Sequence, residues 1–300
     1  MYLQRLNRVV GALGSGRPAR HLLLLRLCLI TYVLLASGFG FSVKAQSAQS
    51  SAKATIASRM STVLTKRDRQ WNAHLGDIRF VDRNPESKGS QIYHALIPDP
   101  EAYIRSVARE VMKQLYFSPK DSIPMCLDLT YVLKNDKGIS AKSGGGGHVS
   151  IFYSTNWVAR SFGRGDTAAV DFETRGVLLH ELTHAFQLEP QGIGHYGGPN
   201  PAFWELVEGM ADAVRVAAGG FHGEKDRPKG GSVHKGYRYV GYFLNWVKDH
   251  KDKDFIRKMN RSCLKVVPWS WDGAVRYALG KRYTLDSLWH EYQVAVGDVQ

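Results

Sequence analysis

The stretch Gly176–Gln187, GVLLHELTHAFQ, decides how the rest of this 300-residue chain is read. Residues four apart on an α-helix lie on one face, so the imidazoles of His180 and His184 point at the same spot, as two ligands of one tetrahedral Zn²⁺ must. Glu181 then stands beside that spot, where a carboxylate can take a proton from an attacking water. Two histidines and a glutamate at these offsets arise by composition alone roughly one time in a hundred in a chain of this length. The flanks argue against two unrelated surface histidines. Val177, Leu178, Leu179, Leu182, Ala185 and Phe186 make the helix apolar almost all round, which is the pattern of a buried helix. Buried imidazoles and carboxylates need partners, because an unpaired polar group costs roughly a few kcal/mol, and a metal ion would satisfy all three groups together.

A third ligand sets the class of site. In the pattern HExxHxxGxxH a glycine would stand where Gln187 is and a histidine where Pro190 is, so that continuation is excluded. Downstream, Asn200–Gly220, NPAFWELVEGMADAVRVAAGG, reads as a helix. Asn200 is a good N-cap, Pro201 suits the first helical position, and Gly219 and Gly220 supply the stop. Glu208 and Asp212 share a face of it. The spacing resembles the ExxxD of thermolysin-like zincins, which implies Glu208 as third metal ligand and Asp212 as the acid that holds a ligand histidine in orientation. Glu205 is the rival ligand, but the residue four beyond it is Gly209 rather than an acid. Phe203, Leu206, Val207, Met210, Ala211 and Val214 surround these acids, unlike a merely solvated helix face.

The first 45 residues read as a leader. Arg5, Arg8, Arg17, Arg20 and Arg26 precede an uncharged run from Leu27 to Val43, and Val43-Lys44-Ala45 has the small-residue form of a cleavage site. The expectation is a signal peptide over 1–45 and a secreted or periplasmic protein. An uncleaved membrane anchor is the alternative, since the apolar run approaches the length of a span. Six of the basic residues behind the formal net charge of +13 lie in this segment, which has no acid, leaving +7 for the remainder. That balance suits association with cell-wall or other anionic surfaces. It does not indicate nucleic acid, because acids interrupt the basic runs KDHKDKDF and KDRPKGG. Cys28 falls in the leader; Cys126 and Cys263 could form one disulfide or stay as two buried thiols, and neither has metal-site spacing.

Residues 46–76 divide into a small, polar linker, QSAQSSAK, and an ambiguous stretch in which SRMSTVLTKRDRQW reads as a helix. The folded domain is expected over 77–300. A strand is expected around Gln91–Leu96, then a helix in EAYIRSVAREVMKQLY and a strand over Met125–Leu133. The glycine run Ser143–Gly147 is expected to turn into a second strand, HVSIFYSTNWV. Helices follow over Tyr237–Lys248, Asp254–Leu264, Asp272–Leu279 and Thr284–Val296, with Trp246, Trp269, Trp271 and Trp289 as core anchors and Phe221–Lys235 as a surface loop.

Taken together, GGHVSIFYSTNWV, RGVLLHELTHAFQ, WELVEGMADAVRVAAGG and GYRYVGYFLNWV resemble the basic secretory protein family, secreted proteins of plants, fungi and bacteria regarded as zinc peptidases. The residues that carry the likeness are His180, Glu181, His184, Phe186, Gln187, Glu208, Gly209, Ala211, Asp212 and Arg215, together with Gly236–Trp246, where Gly241 replaces the usual alanine. The loop Glu189–Pro199, EPQGIGHYGGP, is longer than in plant members. The resemblance implies a zincin-like α+β fold. An N-terminal mixed sheet with helices is followed by a mostly helical C-terminal lobe, and the cleft runs between them. In zincins the strand corresponding to HVSIFYSTNWV forms the sheet edge over the cleft and pairs with an extended substrate.

The expected activity is zinc-dependent hydrolysis of peptide or protein substrates, with Glu181 as general base. Tyr237 is nominated as the oxyanion donor, with Tyr239, His195 and His234 as alternatives. A non-catalytic secreted binding or defence protein retaining a zinc site, and a zinc amidase acting on cell-wall material, are the competing readings. Sequence says nothing of the oligomeric state.

Overall fold

The computed structural model describes Ala54, Ile56 and residues 64–299. The expected signal peptide and linker lie outside these residues. The expected helix at Ser58–Trp71 overlaps them at helix α1, Lys66–Asn72, which Thr65 caps by accepting the Asp68 amide.

Strand β1, Leu75–Asp82, opens a four-stranded sheet completed by β2 (Cys126–Lys134), β3 (Ser140–Gly145) and β4 (His148–Ser154), in the order β1-β2-β4-β3. The first three neighbours in that order run parallel, with Leu75 opposite Cys126 and Leu129 opposite Val149, whereas β3 runs antiparallel to β4, with Ser140 opposite Tyr153. Leu129, Tyr131 and Leu133 of β2 and Val149, Ile151 and Tyr153 of β4 alternate into the core, as the two-residue strand period requires.

Three local expectations are corrected here. Gln91–Leu96 is not a strand but part of helix α2, Lys88–Leu96. Ile92, Tyr93, Ala95 and Leu96 follow a three-residue and not a two-residue rhythm, Ser87 accepts the Ser90 amide as N-cap, and the residues buried are Gly89, Ser90, Tyr93 and Leu96, a helical set. Second, HVSIFYS stops at Ser154, and Thr155–Phe162 is helix α4, not strand. Third, β4 is an interior strand, paired on both sides, so the sheet edge beside the cleft is β3. Part of the glycine run, Gly144 and Gly145, belongs to that edge strand, and Gly146 and Gly147, at φ +62° and +88°, make the hairpin turn that side chains disfavour.

Helix α3, Pro100–Leu115, buries Tyr103, Ile104, Val107, Val111 and Leu115 on one face and packs on α5, Thr167–Phe186. Asp166 caps α5 through the Ala169 amide, and the buried residues of α5 run round most of its circumference. The remaining helices are α6 (Pro201–Ala217), α7 (Tyr237–His250), α8 (Phe255–Lys265), α9 (Trp271–Leu279) and α10 (Leu285–Ala295). The whole is the α+β arrangement that the resemblance implied: a mixed sheet first, then helices.

Helices α6 and α7 approach closely because each is notched. A Cβ on Gly209 would sit 2.3 Å from Val240 Cγ1, and one on Gly241 would sit 3.0 Å from the Asp212 carbonyl carbon. Trp269 and Trp271 are buried, while Trp246 and Trp289 are partly buried against the core. The segment Phe221–Lys235 is the expected surface loop, with two short 3₁₀ turns and only Arg227 and Val233 buried. The buried guanidinium of Arg227 pairs with Asp298 at 2.7 Å and with Glu224 at 2.7 Å. Cys126 and Cys263 are both free and buried, and burial pushes their thiols up to about 11 and about 12.

Candidate metal centre

Helix α5 carries His180 and His184 one turn apart, and α6 brings Glu208 to them. One ligand atom from each of these three residues lies within 4.8 Å of the others. His180 Nε2 and His184 Nε2 are 3.2 Å apart, and Glu208 Oε2 lies 3.3 Å from the first and 3.6 Å from the second. A tetrahedron with metal–ligand bonds of roughly 2.0–2.2 Å has edges of roughly 3.3–3.6 Å, so the three atoms stand where three corners should. Two nitrogens and one oxygen are also a donor set that suits Zn²⁺.

The electrostatics agree with the geometry. Burial opposes a charge on His180, but the hydrogen bonds it donates to Asp212 and Glu208 outweigh that and raise the imidazole to about 10. Burial likewise opposes ionisation of Glu208, but bonds from His180 and His184 hold its carboxyl well below the usual range. Carboxylates that favour a proton between them also favour a dication at the same place.

Behind the cluster, Asp212 Oδ1 lies 2.8 Å from His180 Nδ1. The acid expected to orient a ligand histidine is therefore in contact with one, leaving Nε2 turned to the cluster. Glu205, the rival ligand, faces elsewhere. It is buried and accepts from Trp271 Nε1 at 2.9 Å and from His234 Nδ1 at 3.0 Å. His234 is thereby engaged away from the cluster, and His195 is exposed, with no side-chain hydrogen bond among the described residues.

Glu181, nearly buried, lines a cleft of about 520 Å³ together with His180, Asp212 and Tyr237. Its carboxylate has no hydrogen-bond partner among the described residues. Ser140, at the start of edge strand β3, and Ile139 line the same cleft, so the open sheet edge borders it. Tyr237 stacks on the His180 ring at 6.2 Å between centroids and 10° between planes, and adopts φ +42°, the one non-glycine residue among those described with positive φ. Burial and the nearby Glu208 raise its phenol above the ordinary value.

Two side chains at the site carried no assigned role in the sequence. The Gln187 amide lies 2.9 Å from His184 Nδ1, and the Tyr196 hydroxyl donates to Glu208 Oε1 at 2.6 Å. Gln187 stands three residues past His184, where the helix face would have suggested contact. Tyr196 sits in the irregular loop between α5 and α6, where no periodicity points anywhere.

Residues 75–292 match the model of the BSP family, described as a peptidase of plants and bacteria. The match covers well over half of the chain, and the chain belongs to that family. No curated protein and no solved structure matches it.

Proposed function

We propose that this member of the BSP peptidase family is a zinc-dependent peptidase whose ion is held by His180, His184 and Glu208 and whose general base is Glu181. One observation carries the reading. Three ligand atoms from two separate helices converge at tetrahedral spacing, with a carboxylate that has no partner next to them in a cleft.

When bound, Zn²⁺ would supply Lewis acidity toward the scissile carbonyl and would acidify the attacking water. Glu181 accepts the proton from that water as it attacks and delivers it to the departing amine. Asp212 keeps His180 in the tautomer whose Nε2 lone pair is available. Tyr237, stacked beside His180 at the cleft, donates its hydroxyl to the developing oxyanion. The edge of β3 offers backbone donors and acceptors to an extended peptide, which would lie against the cleft as an added strand. The N-terminal leader pattern supports secretion of the protein, and the basic balance of the remaining chain supports contact with anionic surfaces.

The test is Glu181→Gln. The variant should bind zinc as the parent does and release no peptides from casein, while the parent does so and stops on chelation. Undiminished hydrolysis by the variant would remove Glu181 from the role of base.

A further inference from the structure

The cleft has a mixed lining. Ser140 of edge strand β3 and Val177, His180 and Glu181 of helix α5 line it together with Lys235, with Arg238 and Tyr239 from the first turn of α7, and with Arg215 and Phe221. The three cations are not equivalent. Arg215 is engaged: its Nε donates to the Gly220 carbonyl at 2.9 Å, its Nη2 is 3.6 Å from Glu173, and its guanidinium lies 4.2 Å from the centroid of the Phe221 ring.

Lys235 and Arg238 have no carboxylate within ion-pair distance among the described residues. Lys235 Nζ hovers over the Tyr239 ring at 5.1 Å, and Arg238 Nη1 donates only to the backbone oxygen of Asp226 at 3.0 Å. The acids that line the cleft, Glu181 and Asp212, belong to the cluster on the helices, where Asp212 is already bonded to His180. A concave, partly apolar wall carrying unbalanced positive charge concentrates the field inside the cleft.

We propose that Lys235 and Arg238 receive a carboxylate of the bound peptide, so that the preferred substrates are acidic polypeptides. This rests on the reading of the cleft as a peptidase site. A carboxylate side chain there would meet two donors while the aliphatic part of the same residue packs on Tyr239. An amide of the same shape would gain the packing and lose the charge. Exposed ion pairs contribute modestly, so the two cations together should favour an acidic over an isosteric neutral peptide by about tenfold at low salt.

The experiment uses the full-length Glu181→Gln protein, which separates binding from turnover. Dansyl peptides of one alanine–phenylalanine frame, amidated at the C-terminus and carrying Glu, Gln or Lys at the varied positions, are titrated by anisotropy. A fourth probe, the Gln peptide with a free C-terminal carboxylate, tells a side-chain carboxylate from a terminal one. The Glu peptide should bind about tenfold tighter than the amidated Gln peptide, and the margin should shrink between low and high salt, whereas tighter binding of the free-acid peptide alone would overturn the preference for acidic side chains.

Lys235→Gln with Arg238→Gln should bring the margin below about twofold, and Lys235→Glu with Arg238→Glu should turn the preference toward the Lys peptide. Equal affinities for all four probes, no measurable binding of any, or a margin that survives in the double glutamine variant would overturn the proposal. Casein hydrolysis by the parent protein reads the peptidase assignment separately, so failure of one is distinguishable from failure of the other.

Discussion

The Gln187 side-chain amide sits 2.9 Å from Nδ1 of His184, matching the 2.8 Å contact that Asp212 makes with Nδ1 of His180. With Gln187 Nε2 turned to the ring, its Oε1 is buried without a partner. The opposite amide orientation lets Oε1 accept from Nδ1–H and leaves the His184 Nε2 lone pair free for an ion. Each histidine of the cluster is thus held from behind, one by an acid and one by an amide. Gln187→Ala should lower zinc affinity by about 10–100-fold, measured by competition with a chromogenic chelator, while leaving the far-ultraviolet spectrum of the protein intact. An unaltered affinity would reduce the contact to packing.

Glu208→Ala and Glu205→Ala should fail in different ways. The first should lose most of its bound zinc by elemental analysis. The second should keep it but unfold more easily, by about 1–3 kcal/mol in urea, because Trp271 Nε1 is buried and would lose its acceptor. Equal zinc content in the two variants would reject Glu208 as ligand.

Gly209→Ala adds a methyl group where Val240 Cγ1 is 2.3 Å away. Relieving that overlap requires α7 to move off α6, and α6 is the helix that delivers Glu208. A loss of about 1–3 kcal/mol is expected, seen as a fall in Tm, together with weaker zinc retention. A variant with unchanged Tm would show that the helix pair yields without strain.

The Arg227–Asp298 pair makes a pH prediction. Arg227 hydrogen bonds hold the Asp298 carboxyl below its ordinary value, against the opposing effect of burial. A carboxyl depressed in the folded state stabilises the fold above its unfolded value, about 3.9, and that contribution is lost as pH falls through the folded value. Asp298→Asn should therefore be less stable than the parent at pH 7, and the gap should narrow progressively below about pH 4. A gap that stays constant down to pH 2.5 would assign the effect to packing instead.

Helical chemistry was the legible part of the sequence. HELTH and the Glu208/Asp212 pair are local patterns whose side chains share a face by period alone, and the cap at Asn200 marks a helix start that the structure retains. The sheet was legible only in part: the strands over Met125–Leu133 and HVSIFYS were expected and are present. QIYHAL is too short and too apolar to be told from a strand by composition, yet the helix forms through the Ser87 cap and the burial of Tyr93 and Leu96. Strand β3 was hidden because SAKSGG has few side chains to show a period, and its place at the edge depends on pairing with β4, which no local pattern encodes. Gln187 and Tyr196 were unassigned for a related reason: their contacts are set by how a helix ends and how a loop returns.

An open strand edge does not distinguish a substrate from a second copy of the same chain. β3 meets no further strand among the described residues, and Lys142, half-buried in its middle opposite Ile151, is the charged residue that discourages two such edges from zipping together. The feature that would let a peptide dock is thus also a latent route to aggregation. Lys142→Val should make light scattering rise with protein concentration well before the fold itself gives way.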